Sequence, residues 1–175
     1  MKRSIKSEAV VLKKRSLPNQ DKIITLFTKE LGKVSAFAKG IKKITSRRLP
    51  HVQTANLINV VLYKKNEHFY LQETFLISGF SEIKKDQGKL QLLYQFFFVV
   101  ERILPENQLE TDIYNLVIRF LVELSRTKNH SEEILEKYLN QAMQILGYAK
   151  EDKTFDELKR IIEEIIHEKM PELHI

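Results

Sequence analysis

The spacing of hydrophobic residues changes once along this chain, and that change limits the folds the chain can adopt. Up to about residue 80, apolar side chains alternate with polar ones or form short β-branched and aromatic runs, which is typical of strands. From about residue 86 they recur every three or four residues, which is typical of helices that bury one face. We therefore expect an α+β protein, with a small β-barrel over residues 1–80 followed by an all-helical bundle over residues 81–175.

Short turns separate five predicted strands in the first part of the chain. Pro18 and Asn19 follow the first strand, Gly32 lies after the second, and Asn66 follows the fourth. Five short strands with such turns suggest a closed barrel. The third connection, Gly40 to Pro50, is longer and rich in cations, so we expect it to be either functional or disordered. The predicted strands centre on residues 10–12, 24–26, 34–38, 58–62 and 69–77.

Four helices are predicted in the second part of the chain. The first, residues 88–104, is apolar almost all round, so we expect it at the centre of the bundle, with Pro105 ending it. The second covers residues 110–125. Ser131 is a suitable N-cap for the third helix, and Gly147 is a suitable stop. Thr154, with a glutamate three residues later, has the spacing of a capping box for the last helix.

Charge is distributed unevenly between the two parts. Residues 1–50 hold fourteen lysines and arginines against three acidic residues, whereas residues 81–175 hold 13 basic and 18 acidic residues. A field of one sign on one lobe attracts polyanions, so this asymmetry indicates contact with nucleic acid or an anionic membrane. The alternative is a lysine-rich, well-solvated surface without a specific partner.

Several kinds of chemistry have no support in the sequence. The chain has no cysteine, which excludes disulfides, thiolate zinc ligands and thiol nucleophiles. No phosphate-binding glycine motif is present, and Glu163 with His167, one helical turn apart, fits a solvated pair better than a metal site. No apolar stretch approaches the roughly 18 residues that a membrane span requires. We expect a non-enzymatic cytoplasmic protein with no cofactor and no membrane contact.

The third predicted strand combines aromatic and cationic side chains on one face. Alternation places Ser35, Phe37 and Lys39 together. The adjoining loop adds further cations, and the combination resembles surfaces that stack single-stranded bases on rings and hold phosphates with lysine and arginine. The alternative is that Phe37 fills the barrel and the loop cations only confer solubility. The predicted DNA-binding residues are Phe37, Lys39, Lys42, Lys43, Arg47 and Arg48.

The same segment carries a family resemblance. Residues 28–40, TKELGKVSAFAKG, followed by Lys42-Lys43 and Ser46-Arg47, resemble the N-terminal signature of the bacterial DNA repair protein RecO family, as does EAVVL at residues 8–12. The resemblance implies an OB-fold, a helical domain, and binding to single- and double-stranded DNA. It also implies strand annealing and recombinase loading on protein-coated single strands. The implied partners are RecR, the C-terminal tail of the single-strand binding protein and, as a further candidate, RecF.

One departure from the family pattern affects the expected cofactor. Members commonly carry a cysteine zinc element after the position of Gly147-Tyr148, where this chain continues as AKEDK at residues 149–153. Because this chain lacks that element, the zinc of the family is not expected here. The family's pocket for the tail of the single-strand binding protein lies in the helical domain, and its candidate rim cations in this chain are Arg102, Arg119 and Arg126.

The leading hypothesis is thus a cytoplasmic, nucleoid-associated recombination mediator that is not an enzyme. A protein-interaction adaptor acting mainly through the helical domain is the alternative. A nuclease would require a carboxylate cluster binding a divalent metal, which the sequence does not indicate. A membrane-surface role is the least supported, because the cations lie among strands and a loop and not on an amphipathic helix.

Overall fold

A computed structural model describes residues 3–40, 48–128 and 132–172. The described chain forms two compact units, Met1–Gly79 with Pro105–Glu110, and Phe80–Leu104 with Thr111–Ile175. None of its described helices is both long and apolar enough to cross a membrane. The elements in chain order are β1 Arg3–Ser16, β2 Lys22–Thr28, β3 Gly32–Ala38, β4 Leu57–Lys65, β5 His68–Ser78, α1 Ser81–Lys84, α2 Gln87–Ile103, α3 Thr111–Arg126, α4 Glu132–Ile145 and α5 Phe155–Ile166.

The five strands form a closed barrel in the order β1-β2-β3-β5-β4, as expected from the strand pattern. All pairs are antiparallel except β3 with β5, which pair in parallel only at Ala36 with Phe69 and at Phe37 with Tyr70. β1 is long enough to pair with β4 through its first half and with β2 through its second. The sequence prediction of an α+β fold with an N-terminal barrel followed by helices is confirmed.

Alternation of side chains fills the barrel interior. The inward positions of β1 to β3 are small or aliphatic, and Ala9, Ile24 and Ala36 have no exposed surface. The connection from β3 to β4 contributes as well, because Val52 and Ala55 are fully buried and the Ala55 N–H donates to the Val11 carbonyl. Burying a larger aliphatic side chain such as Ile24 or Val52 contributes about 1.5–3 kcal/mol. Small inward residues on β3 let the neighbouring strands close around this core.

A short segment between α2 and α3, Pro105–Glu110, belongs to the barrel unit and is called the strap below. It forms a parallel bridge to β3 between Lys33 and Glu106, and the Asn107 N–H donates to the Lys33 carbonyl at 2.8 Å. Gly32 makes this approach possible, since its φ is +74° and a Cβ there would lie 1.8 Å from the Gln108 carbonyl oxygen. The strap therefore covers the part of β3 that does not pair with β5.

The helical unit is built around three rings. Phe96 of α2, Phe120 of α3 and Tyr138 of α4 contact one another, with centroids 4.1 Å apart for the two phenylalanines and 5.3 Å apart for Phe120 and Tyr138. α2 buries side chains on most of its circumference, as its sequence predicted. The capping box at Thr154 and Glu157 is present at the start of α5. The predicted cap at Ser131 lies outside the described residues.

Candidate nucleic-acid interface and helical groove

Phe37 and Lys39 lie on the outer face of the barrel, where alternation along β3 predicted them. Phe37 is half-buried and Lys39 is exposed, while the neighbouring Ala36 and Ala38 point inward and have no exposed surface. Phe37 therefore does not fill the barrel, and the interpretation of this ring as interior packing is wrong. An outward ring beside an outward cation is the arrangement that nucleic-acid surfaces use.

Two tyrosines extend Phe37 into a row of rings across three strands. Tyr70 of β5 stacks on Phe37 with centroids 5.5 Å apart and planes 29° apart, and Tyr63 of β4 stacks on Tyr70 at 5.0 Å and 14°. The Lys39 ammonium lies 5.3 Å from the centre of the Tyr70 ring. We call Phe37, Tyr70 and Tyr63 the aromatic row. Because cross-strand pairs hold these rings in place, the row presents a fixed apolar surface beside a positioned cation.

The strand register continues this surface toward β1. Phe37 pairs with Ile23 of β2, which pairs with Arg15 of β1. Paired residues project from the same face of a sheet, so the exposed Arg15 lies on the outer face in line with the aromatic row. Arg15 therefore adds a positive charge two strands away from Phe37, a distance of roughly 10 Å.

Arg48 has a structural role at the end of the cation-rich loop. Its Nη1 donates to the Leu71 carbonyl at 3.0 Å and its Nη2 donates to the Lys39 carbonyl at 2.7 Å. The guanidinium thus joins the end of β3 to β5 and holds the backbone of Lys39 in place. The other predicted loop cations, Lys42, Lys43 and Arg47, lie outside the described residues.

Two further lysines of the basic head are directed at neighbouring groups. The Lys14 ammonium donates to the Gln53 side-chain oxygen, and the Lys22 ammonium donates to the Ser16 hydroxyl at 2.8 Å. Partial burial, with a smaller contribution from the positive charge of Lys22, lowers the pKa of Lys14. These lysines contribute less to the outer surface than a count of basic residues suggests.

A groove of about 600 Å³ runs along α3 in the helical unit and contains two of the three predicted partner-binding arginines. Arg119 and Arg126, two turns apart on α3, line it together with apolar side chains. A groove with apolar walls and two guanidinium groups suits a peptide that combines carboxylates with a hydrophobic side chain. Among the described residues, the lining of this groove, called the helical groove below, is Ile118, Arg119, Val122, Glu123, Arg126, Thr127 and Tyr138.

The acidic residue of the helical groove is already neutralised. Glu123 accepts hydrogen bonds from the Tyr138 hydroxyl at 2.6 Å and from the Lys137 ammonium at 2.9 Å. The Tyr138 hydrogen bond, reinforced by Lys137, lowers the pKa of Glu123. Burial, reinforced by the Glu123 carboxylate, raises the pKa of Tyr138. The net charge that the groove offers a ligand therefore comes from its two arginines.

The structure does not bring Arg102 into this groove. Its guanidinium lies 3.8 Å from the centre of the Phe98 ring, and it forms ion pairs with Glu101 and Glu168. Those contacts pair the charge of Arg102 within the helical unit, so of the three predicted partner-binding arginines only Arg119 and Arg126 line the helical groove.

No described part of the chain holds three metal-ligating side chains close together. Glu163, paired in the sequence with His167, accepts hydrogen bonds from the Met170 N–H at 2.9 Å and from the Lys169 ammonium at 3.1 Å. These contacts, with the Met170 hydrogen bond the largest, lower the pKa of Glu163. His167 is the C-cap of α5 with a φ of +56°. Glu163 and His167 therefore both lie at the C-terminal end of this helix.

Tyr63, Tyr70 and Arg15 are the candidate site residues that the sequence did not reveal. Each lies in a strand whose outward face was predictable by alternation, but the faces meet only through the register between strands. The parallel pairing of β3 with β5 joins Phe37 to Tyr70, and residues 33 positions apart in the chain give no local signal of that contact.

Comparison with known proteins identifies the relatives of this chain. A family model described as Recombination protein O N terminal matches residues 1–80. A protein named DNA repair protein RecO from Caldanaerobacter subterraneus subsp. tengcongensis is 31% identical over 146 residues, which cover 83% of this chain and 59% of the relative. The RecO protein of Thermoanaerobacter sp. strain X514 is 30% identical with the same coverage, and that of Acetivibrio thermocellus is 27% identical over 145 residues.

The chain spans about three fifths of the length of these relatives, 59% for the first two and 58% for the third. The family model covers the whole barrel, from β1 to β5. The matches to the relatives cover 83% of this chain and so extend beyond the barrel into the helical unit. The chain belongs to the RecO family, and its five-stranded barrel is the OB-fold domain of that family.

Proposed function

We propose that this protein acts in DNA repair by binding single- and double-stranded DNA through the outer face of its barrel. The observation that carries the proposal is the aromatic row with the Lys39 ammonium 5.3 Å from Tyr70, on the N-terminal domain of a chain related to DNA repair proteins named RecO. Lys42, Lys43 and Arg47 follow Lys39 in the sequence and are the further phosphate-binding cations of this proposal.

The physical basis is neutralisation of phosphates, with the rings as a secondary contribution. Each phosphate that a lysine or arginine neutralises releases condensed counterions, which gives affinity with little dependence on base sequence. The aromatic row adds apolar and stacking contact that only unpaired bases can reach. A surface of this kind holds single strands without reading them, which is what the annealing of arbitrary complementary strands requires.

The salt dependence of binding tests the phosphate contacts. If about four phosphates are neutralised on a single strand, raising salt from about 50 to 200 mM weakens binding by roughly 50-fold. The double variant Lys39→Glu with Lys42→Glu should neutralise two fewer phosphates, so its salt slope should be smaller by the contribution of two phosphates. Lys29→Glu is the matched control, because Lys29 is exposed in the turn between β2 and β3, away from the aromatic row. An unchanged slope in the double variant removes these lysines from the site.

Tyrosine fluorescence tests the ring contacts. The chain has no tryptophan and six tyrosines, so its intrinsic emission comes from tyrosine. A single-stranded oligonucleotide should quench part of this emission through Tyr63 and Tyr70, and Tyr70→Leu should remove most of the quenching. A duplex of equal length should quench less, because its bases are already stacked.

The finer activities belong to the same proposal. The protein promotes annealing of complementary strands coated with single-strand binding protein, and it helps to load recombinase together with RecR, with RecF as a further partner. The decisive assay is annealing of labelled oligonucleotides coated with that protein. Retained DNA binding with no annealing would favour an adaptor over a mediator.

A second candidate function is supported by the helical groove. We propose that its two arginines and apolar walls receive the acidic, hydrophobic C-terminal tail of the single-strand binding protein. Fluorescence anisotropy with a labelled tail peptide measures this binding. Arg119→Glu should weaken it at least tenfold, whereas Arg160→Glu, an exposed arginine on α5 outside the groove, should leave it within about twofold. Equal effects of the two variants would mean that the peptide senses only net charge.

We further propose that the protein is non-catalytic, needs no metal or other cofactor, and works in the cytoplasm at the nucleoid. The support is its chemistry: the candidate site consists of rings and cations, without a carboxylate cluster among the described residues. A labelled oligonucleotide incubated with the protein and magnesium or manganese should remain intact. Cleavage that follows the protein through purification would overturn this part of the proposal.

A further inference from the structure

The strap brings one carboxylate onto the outer face of the barrel beside the aromatic row. The Ser35 hydroxyl donates a hydrogen bond of 2.8 Å to Glu106 Oε1. Ser35 precedes Phe37 by two residues on β3, so both side chains project from the outer face about 7 Å apart. The carboxylate therefore lies within roughly one or two Debye lengths of the rings at physiological salt. A phosphate in contact with the near side of the row would experience its repulsion.

Ser35 precedes Phe37 on β3 and Lys39 follows directly after the strand ends, so the two residues lie on opposite sides of Phe37. The aromatic row crosses β3 at Phe37 and runs onto β5 through the pairing of Phe37 with Tyr70. It therefore has one flank with the Glu106 carboxylate and another with the Lys39 ammonium. Lys42, Lys43 and Arg47 follow Lys39 in the sequence, but they lie outside the described residues.

A second cation lies on the acidic flank and provides a natural comparison with Lys39. His68 precedes Tyr70 by two residues on β5, and its ring contacts Phe37 with centroids 5.5 Å apart. Lys65 of β4 pairs with His68 and follows Tyr63 by two residues. Lys39 and Lys65 are thus both exposed, both two residues from a ring of the row, and on different flanks.

We propose that a single strand crosses the barrel along the aromatic row with its phosphates on the Lys39 flank, and that the Glu106 carboxylate closes the opposite flank. The inference rests on the proposed function and deepens it, because it assigns the path of the strand on the barrel and a residue that restricts that path. A phosphate gains the attraction of Lys39 on one flank and meets the charge of Glu106 on the other. The strap is thereby part of the binding surface as well as of the fold.

The first test compares two neutralised lysines. Lys39→Gln removes a phosphate contact, and for single strands in about 50 mM salt the loss of one counterion-releasing contact weakens binding up to roughly eightfold. Lys65→Gln removes the same charge from the other flank and should change affinity less than about twofold. The probe is an oligothymidylate of about 20 nucleotides. Equal losses in the two variants would overturn the assignment of flanks, whereas no binding by the unmodified protein would refute the proposed function itself.

The second test removes the carboxylate. Glu106→Gln keeps an oxygen that accepts from Ser35 but loses the charge, so it should strengthen binding about two- to fourfold at low salt. The gain should disappear near 500 mM salt. Glu110→Gln, in the same strap, is the matched control and should leave affinity unchanged. An affinity of Glu106→Gln equal to that of the unmodified protein, or an equal gain in the control, would show that Glu106 does not restrict the path.

Discussion

The role of Arg48 provides the sharpest test of how the candidate interface is held together. Its guanidinium donates to the carbonyls of Lys39 and Leu71 at 2.7 and 3.0 Å, joining the end of β3 to β5. A hydrogen bond of this kind contributes about 1 kcal/mol net, so Arg48→Ala should lower the free energy of opening in this part of the barrel by about 2 kcal/mol. Amide hydrogen exchange of β3 and β5 should then accelerate roughly 30-fold.

The lysine variant separates support of the backbone from phosphate binding. Arg48→Lys keeps the positive charge, but one ammonium cannot donate to two carbonyls in the fork geometry of a guanidinium. We expect Arg48→Lys to lose most of the protection that Arg48→Ala loses, with a salt slope of oligonucleotide binding close to that of the unmodified protein. Unchanged exchange in Arg48→Ala, together with a slope smaller by about 0.7, would instead make Arg48 a phosphate ligand and refute the reasoning.

Three further predictions concern the strap, the groove and the last helix. Gly32→Ala places a Cβ against the strap backbone at a φ of +74°, so the strap should undock and exchange of the Asn107 N–H should accelerate by at least tenfold. Because its folded-state pKa is lowered, Glu123 contributes stability that is present above the ordinary glutamate pKa and is lost as the pH falls through its lowered folded-state pKa; Tyr138→Phe should make this loss smaller in acid unfolding followed by circular dichroism. Thr154→Ala should cost about 1 kcal/mol in urea unfolding, because it removes the capping box of α5.

The elements of this fold were predictable wherever one local rule decided the outcome. The capping box at Thr154 and the helix stop at Gly147, which has a φ of +81°, were both read from single residues and their neighbours. β5 shows where a local rule fails. If side chains alternated without interruption along β5 from Phe69, Phe75 would point into the barrel. The register of the pairing with β4 shifts between Val61 and Leu62, however, and Phe75 is 58% exposed.

The candidate site was only half predictable for the same reason. Alternation along the predicted third strand places Phe37 and Lys39 on one face, and the Lys39 ammonium does lie beside the aromatic row although β3 itself ends at Ala38. The residues beside them come from distant parts of the chain. Tyr70 is brought to Phe37 by the pairing of β3 with β5, and Glu106 lies in the strap, which follows α2 in the chain. No periodicity within β3 encodes those contacts. The register between the strands and the position of the strap must both be known before the two flanks of the aromatic row can be distinguished.

Both candidate surfaces are positively charged and attract anions. The apolar side chains of each surface must therefore determine which kind of ligand it binds. In the helical groove the arginines stand beside Ile118 and Val122, and a peptide that buries an aliphatic or aromatic side chain there gains about 25 cal/mol for each Å² removed from water. A DNA backbone has no such group to bury. On the barrel, the rings offer planar contact to bases, which an acidic peptide lacks in most of its residues. Binding at the barrel should therefore depend more steeply on salt than binding at the groove, because the hydrophobic part of groove binding is not screened.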